Sequence, residues 1–125
     1  MNFIPKNKSD LVACDYLERT SAAEVAPYIP ELLEWLQDAN WPVAGPVSKK
    51  LVSIGADVEP PIVNILKGSD EMWKYWVISL VLVPRVPNLS EETVNAVKKI
   101  AINPTLAEKE DEVNLNAKEL LERYV

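Results

Sequence analysis

Two stretches of the chain are versions of one another. Pro30-x-Leu32-Leu33-x-Trp35-Leu36 is matched by Pro60-x-Ile62-Val63-x-Ile65-Leu66, and Asp38-x-x-Trp41 is matched by Asp70-x-x-Trp73. In each stretch a proline opens a run with apolar positions at helical spacing, and an acidic residue precedes the next helix start. A weaker third copy places Val94 and Val97 where Ile62 and Ile65 stand. The unit is a helix, a tight turn and a second helix, recurring about every 30 to 32 residues. Such a unit cannot bury its apolar face alone, so neighbouring units must stack. The pattern predicts an all-α chain, a short α-solenoid of helix pairs with capping helices, forming one helical-repeat domain over residues 1–125.

Punctuation supports the helical reading. Ten prolines and only three glycines fall mostly between apolar-periodic runs, and no alternating run is bounded by Asn-Gly or Asp-Gly. Ser9 is expected to cap a first helix with Leu11, Val12, Tyr16 and Leu17 as its apolar side, ended by Thr20 and Ser21. Pro30 opens a second, with Leu32, Leu33, Trp35 and Leu36 inward and Glu31, Glu34, Gln37 and Asp38 outward. A third follows Asn40-Trp41-Pro42, striped by Val43, Val47, Leu51 and Ile54, with Lys49, Lys50 and Ser53 wet and Gly55 at its end. Pro60-Pro61 starts a fourth, stopped by Gly68. Ser69 caps a fifth, Met72 to Val83, which is apolar almost all round and should be the most buried. On that reading Trp76→Ala and Leu80→Ala would cost about 3–5 and 2–5 kcal/mol. Ser90 caps a sixth helix, and Thr105-Leu106-Ala107-Glu108 is a capping-box pattern. Asn114 is expected to cap the last helix, which carries Leu115, Leu120 and Leu121.

Composition narrows function more than it identifies it. With no histidine, His-dependent triads, bases and metal sites are excluded, and one cysteine allows neither an internal disulfide nor a Cys-based zinc site. A net charge of −6 and a pI near 4.7 disfavour nucleic acid as a partner. No P-loop, Gly-x-Gly-x-x-Gly or Gly-x-Ser-x-Gly occurs, so no cofactor and no metal is expected. The apolar run Trp76 to Val83 is far shorter than a membrane span, and the N-terminus lacks the apolar core of a signal peptide. The expectation is a cytoplasmic chain that does not bind membranes.

Asp38-x-Asn40-Trp41-Pro42, Trp73-Lys74-Tyr75-Trp76 and Ile102-Asn103-Pro104-Thr105 with the Glu-rich stretch after it resemble a small bacterial family of unknown function. The similarity runs from Pro5 to the C-terminus. It implies a compact HEAT-like helical-repeat domain and brings no catalytic residue, substrate or cofactor.

Three features invite functional readings. Trp41, Trp73 and Tyr75, with Trp76 and Leu80 nearby, could form an aromatic groove for a peptide or a flat ligand; alternatively the four indoles are core, each N–H bonded to a neighbour. Asp38 and Asp70 stand at equivalent places before a helix start. They could be an acid–base pair, although capping accounts for both. Glu108, Glu110, Asp111 and Glu112 could dock a basic partner or hold a divalent ion, or could be a solvated helix start. Acids exceed bases by 7 to 3 over residues 1–40 and by 8 to 5 over residues 91–125, around a near-neutral centre. Cys14 has no histidine to activate it. The reading that follows is a non-enzymatic protein-interaction domain binding a basic protein, with Trp41, Trp73, Lys74, Tyr75, Asp38 and Asp70 as candidate contact residues. A small-molecule or peptide-binding module built on the aromatic groove is the alternative, and a carboxylate-dependent enzyme is a third.

Overall fold

Helix starts and stops follow local chemistry through most of the chain. In a computed structural model describing residues 1–124, all regular structure among the described residues is helical. The helices are α1 (Leu11–Arg19), α2 (Ala22–Val25), α3 (Ile29–Leu33), α4 (Ala44–Ile54), α5 (Glu59–Leu66), α6 (Glu71–Val77), α7 (Val83–Arg85), α8 (Glu91–Ile102), α9 (Leu106–Glu110) and α10 (Val113–Glu122). Ser90 caps α8 through the Thr93 N–H. Thr105 and Glu108 form the full capping box, with Thr105 N–H donating to Glu108 at 2.8 Å and Glu108 N–H donating to Thr105 at 3.1 Å. Gly55 ends α4 at φ +102°, a conformation that L side chains rarely adopt.

Two starts move by one residue for a clear reason. Asp10, not Ser9, caps α1, its carboxylate accepting from Ala13 N–H at 3.2 Å. Asp70, not Ser69, caps α6 in the same way, accepting from Trp73 N–H at 3.1 Å. A carboxylate both satisfies an orphan donor and opposes the positive end of the helix dipole. The final helix shifts by two: Glu112, at a left-handed φ of 61°, and not Asn114 stands at its cap position, and the helix starts at Val113.

The larger correction concerns α1. Leu11, Val12 and Tyr16 are 51%, 66% and 41% exposed, and the buried side is Ala13, Cys14 and Leu17. That stripe is built mainly from small side chains, which a count of bulky residues overlooks, and it is the one facing the core where α1 rests on α4. The last helix departs similarly: Leu115 is exposed, while Val113, Asn116, Ala117 and Leu120 are buried. Lys50 was expected on the wet side of α4. Its ammonium instead donates to Thr20 O at 2.6 Å, satisfying a carbonyl at the end of α1.

Contacts link the helices in two series. In one, α3 meets α5 and α5 meets α8; in the other, α4 meets the segment Ile78–Leu82, which in turn meets α10. Further packing joins α3 to α4, α5 to α6 and, most extensively, α8 to α10. A continuous core fills the space between, including Leu36, Val47, Leu51, Ile62, Ile78, Leu82, Val97 and Leu120.

The expected fifth helix is a composite of α6, a π-helical turn at Ile78–Leu82, and α7. The Val83 N–H bonds to Ile78 O, one residue farther than an α-helix allows. Pro84 supplies the reason. Its ring would press on the Leu80 carbonyl in a regular helix, and the widened turn relieves that clash. The composite is not buried all round. Val77, Ile78, Val81 and Leu82 are fully enclosed, Leu80 packs on the core from its edge, and Trp76 is half-buried outside the core cluster.

Two charged groups are built into the packing. Lys74 on α6 is 3% exposed and pairs with Glu71 at 2.9 Å and with Glu108 of α9 at 3.0 Å. Arg85 pairs with Glu59 at 3.0 Å and also donates to Asn88 O, while Glu59 accepts the Ser90 N–H at 2.7 Å. Burial pushes the Glu59 and Glu108 carboxyls up, but their donors overcome it. Ser90 N–H, Thr93 and Arg85 hold Glu59 below its ordinary value, and Thr105 N–H with Lys74 does the same for Glu108. A lowered folded value stabilises the fold above the ordinary glutamate range, and that contribution is lost as pH falls through the lowered value. Stability measured by urea denaturation should therefore be level from neutrality down to the ordinary glutamate range and fall below it. Glu108→Gln should flatten that fall, and an unchanged slope in the variant would contradict the assignment.

Candidate functional site

The residues singled out from the sequence do not converge on one place. Asp38 folds back to accept Asn40 N–H at 2.8 Å and shapes a turn, whereas Asp70 caps α6. Each carboxylate is occupied by its own backbone, and neither lines any of the five surface cavities described for this fold. Lys74 is withdrawn into its ion pairs. Tyr75 packs on the core, stacks edge-on with Trp76 at 4.9 Å, and offers its carbonyl to Asn116 at 2.8 Å. Among the described residues no cluster of three acidic or cysteine side chains is arranged to hold a metal. Glu108 is buried in its cap and ion pair, while Glu110, Asp111 and Glu112 are exposed. Burial first, then the charges of Asp10 and Asp15, push the Cys14 thiol up, away from a nucleophilic thiolate.

Trp73 and Trp41 open onto different grooves on either side of α3. The Trp73 indole N–H donates to Leu33 O at 2.9 Å, satisfying a carbonyl where α3 gives way to a 3₁₀ turn at Glu34–Leu36. Its groove, about 300 Å³, is walled by Pro30, Leu33, Pro60, Pro61, Asn64 and Ile65 and carries no charge.

The Trp41 groove is larger and different in character. Trp35 stands in the 3₁₀ turn Glu34–Leu36. Trp41 is presented by the Asp38 turn, in which Trp41 N–H bonds Asp38 O and Ala44 N–H bonds Trp41 O. The two rings meet edge to face, centroids 5.8 Å apart and planes at 68°. A third wall comes from Ile4 and Pro5. That segment is fixed by buried Phe3, edge-on to Tyr28 at 5.4 Å, and by the Val43 N–H to Lys8 O bond. Glu31, Glu34 and Gln37 complete the rim of a cavity of about 550 Å³, within the usual range for ligand clefts of roughly 300–1,000 Å³.

Trp35, Glu31 and Glu34 were not among the expected contact residues. Trp35 reads as part of the inward face with Leu32 and Leu36, yet it lies four residues after Glu31 and therefore shares its side of the helix. That spacing was the available signal. A further cavity of about 580 Å³ lies between α1 and α4, lined by Leu11, Cys14, Asp15, Glu18, Lys49 and Lys50 among others.

No helix is long and apolar enough to cross a membrane among the described residues. Comparison with curated proteins gave no match. Of the residues in the motifs that carry the family resemblance, Trp73 bonds α3, Lys74 joins α6 to α9, and Thr105 with Glu108 caps α9. A family model, described as a domain of unknown function (DUF5071), matches residues 3–121, and the chain belongs to that family.

Proposed function

We propose that this chain is a non-enzymatic protein-interaction domain, a short HEAT-like stack of helix pairs, whose partner is a basic protein. The two series of contacts, from α3 through α5 to α8 and from α4 through the π turn to α10, support the solenoid reading. One observation carries the choice of partner. Lys74 and Arg85 are held inside the fold by Glu59, Glu71 and Glu108, a group whose net charge is only −1, so most of the acidic surplus of six lies outside these interior pairs. A surface of one predominant sign speeds encounter with an oppositely charged protein and rejects like-charged ones. The unpaired, buried Cys14 suits a reducing compartment, and we place the protein in the cytoplasm on that ground.

Purification of the tagged chain from its own host tests the reading. The expected result is a stoichiometric protein of basic pI that leaves as salt rises. A stoichiometric acidic partner, or a partner insensitive to salt, would overturn it. The uncharged Trp73 groove favours a second reading, a module binding a small molecule or an apolar peptide. A thermal-shift screen giving stabilisation that a Trp73 variant abolishes would support that second reading.

A further inference from the structure

We propose that the groove between Trp35 and Trp41 receives an arginine side chain of the partner protein, the guanidinium lying against an indole face and pairing with Glu31 and Glu34. This rests on the basic-partner reading above and assigns it a place. The lining contains two carboxylates and no basic residue. Glu31 and Glu34 are exposed, and their side chains take part in none of the ion pairs among the described residues, unlike the occupied carboxylates of Glu59, Glu71 and Glu108.

The aromatic walls are similarly uncommitted. Trp73 spends its indole N–H on Leu33 O, whereas those of Trp35 and Trp41 have no acceptor among the described residues and are not sealed from solvent. The rings are partly exposed and fixed at a steep angle, so they form a corner that a flat cation can enter without rearranging the fold. A guanidinium is planar, weakly hydrated, able to stack on an indole and able to bridge carboxylates in a fork; an ammonium has only the charge.

The rival cavities lack this complementarity. The α1–α4 groove faces Asp15 and Glu18 with Lys49 and Lys50 of its own, and the Trp73 groove has no charge to offer.

The test uses the full chain and three capped hexapeptides, alternating arginine, lysine or glutamate with alanine. Binding is followed by calorimetry and tryptophan fluorescence at low ionic strength. The arginine peptide should bind, the lysine peptide more weakly, and the glutamate peptide not at all. Glu31→Gln combined with Glu34→Gln should weaken the arginine peptide by about tenfold or more, because two exposed partners of one charge are lost. Both carboxylates are exposed and unpaired, so this variant should melt with the parent. Trp41→Ala, checked for folding by circular dichroism, should remove the fluorescence response.

Undiminished binding to the double variant would overturn the groove and leave the basic-partner reading standing. Equal binding of the lysine peptide would overturn the guanidinium assignment. If neither basic peptide binds, the groove proposal falls, and the pI of the co-purifying protein decides the broader reading separately.

Discussion

Lys74→Ala is expected to destabilise the fold by about 3–5 kcal/mol, because it leaves two buried carboxylates facing one another without a cation. Lys74 is 3% exposed, and the side chains of Glu71 and Glu108 are 9% and 6% exposed. Each was desolvated on folding, and their mutual attraction and hydrogen bonds offset that cost only while all three are present. The loss should not scale with buried methylenes. Lys74→Met, which keeps most of the side-chain volume, should cost nearly as much. Adding Glu71→Gln and Glu108→Gln to Lys74→Met should recover much of the loss, since no uncompensated charge then remains inside. Burial pushes the Lys74 ammonium down, but Glu71 and Glu108 outweigh it and hold it above the ordinary lysine value. Its stabilisation is thus fully present below that ordinary value and is lost as pH rises through the higher folded one. Urea denaturation of the single and combined variants measures these differences; a loss below about 1 kcal/mol for Lys74→Ala would mean the group is solvated.

Leu82→Ala should cost about 2–5 kcal/mol, a large share of the stability of a domain this size. Leu82 is fully enclosed in the π turn, the segment against which both α4 and α10 pack. The cavity it would leave is bounded by several helices, so no single one can collapse into it. Trp76 is the larger side chain and lies one and a half turns away, yet it stands outside the core, its ring meeting that of Tyr75 edge-on. Trp76→Ala should therefore cost less than Leu82→Ala, reversing the order that residue size alone would give. Equal or opposite ranking by chemical denaturation would place Trp76 in the core.

Helix class, most boundaries and the proline and capping-box starts were legible because they depend on a few adjacent residues. Pro30, Pro60, Ser90 and Thr105 each act within one turn of chain. The buried faces of α1 and α10 were less legible, since Ala13, Cys14, Asn116 and Ala117 are inside through what approaches them rather than through their own hydrophobicity. The π turn was hidden for a related reason: Pro84 shows where a helix is disturbed, but not whether it stops or widens. Of the candidate site, Trp41 and Trp73 proved to line grooves, while Lys74 was misread because its partner Glu108 lies 34 residues farther along the chain. Spacing on one helix cannot disclose a pairing made between two.

The repeated helix starts carry a hazard that the interior charges answer. Units with similar apolar stripes can in principle trade neighbours, since one leucine face satisfies another nearly as well as the correct one. An enclosed ion is not so tolerant: Glu108 loses its cation unless α9 meets α6, and Arg85 loses its carboxylate unless Glu59 is brought beside it. Shuffled or domain-swapped orders would strand these ions in hydrocarbon at a cost of several kcal/mol each. The same desolvation that makes a buried ion pair only modestly stabilising makes an unpaired buried ion costly, so these pairs disfavour any packing that separates them.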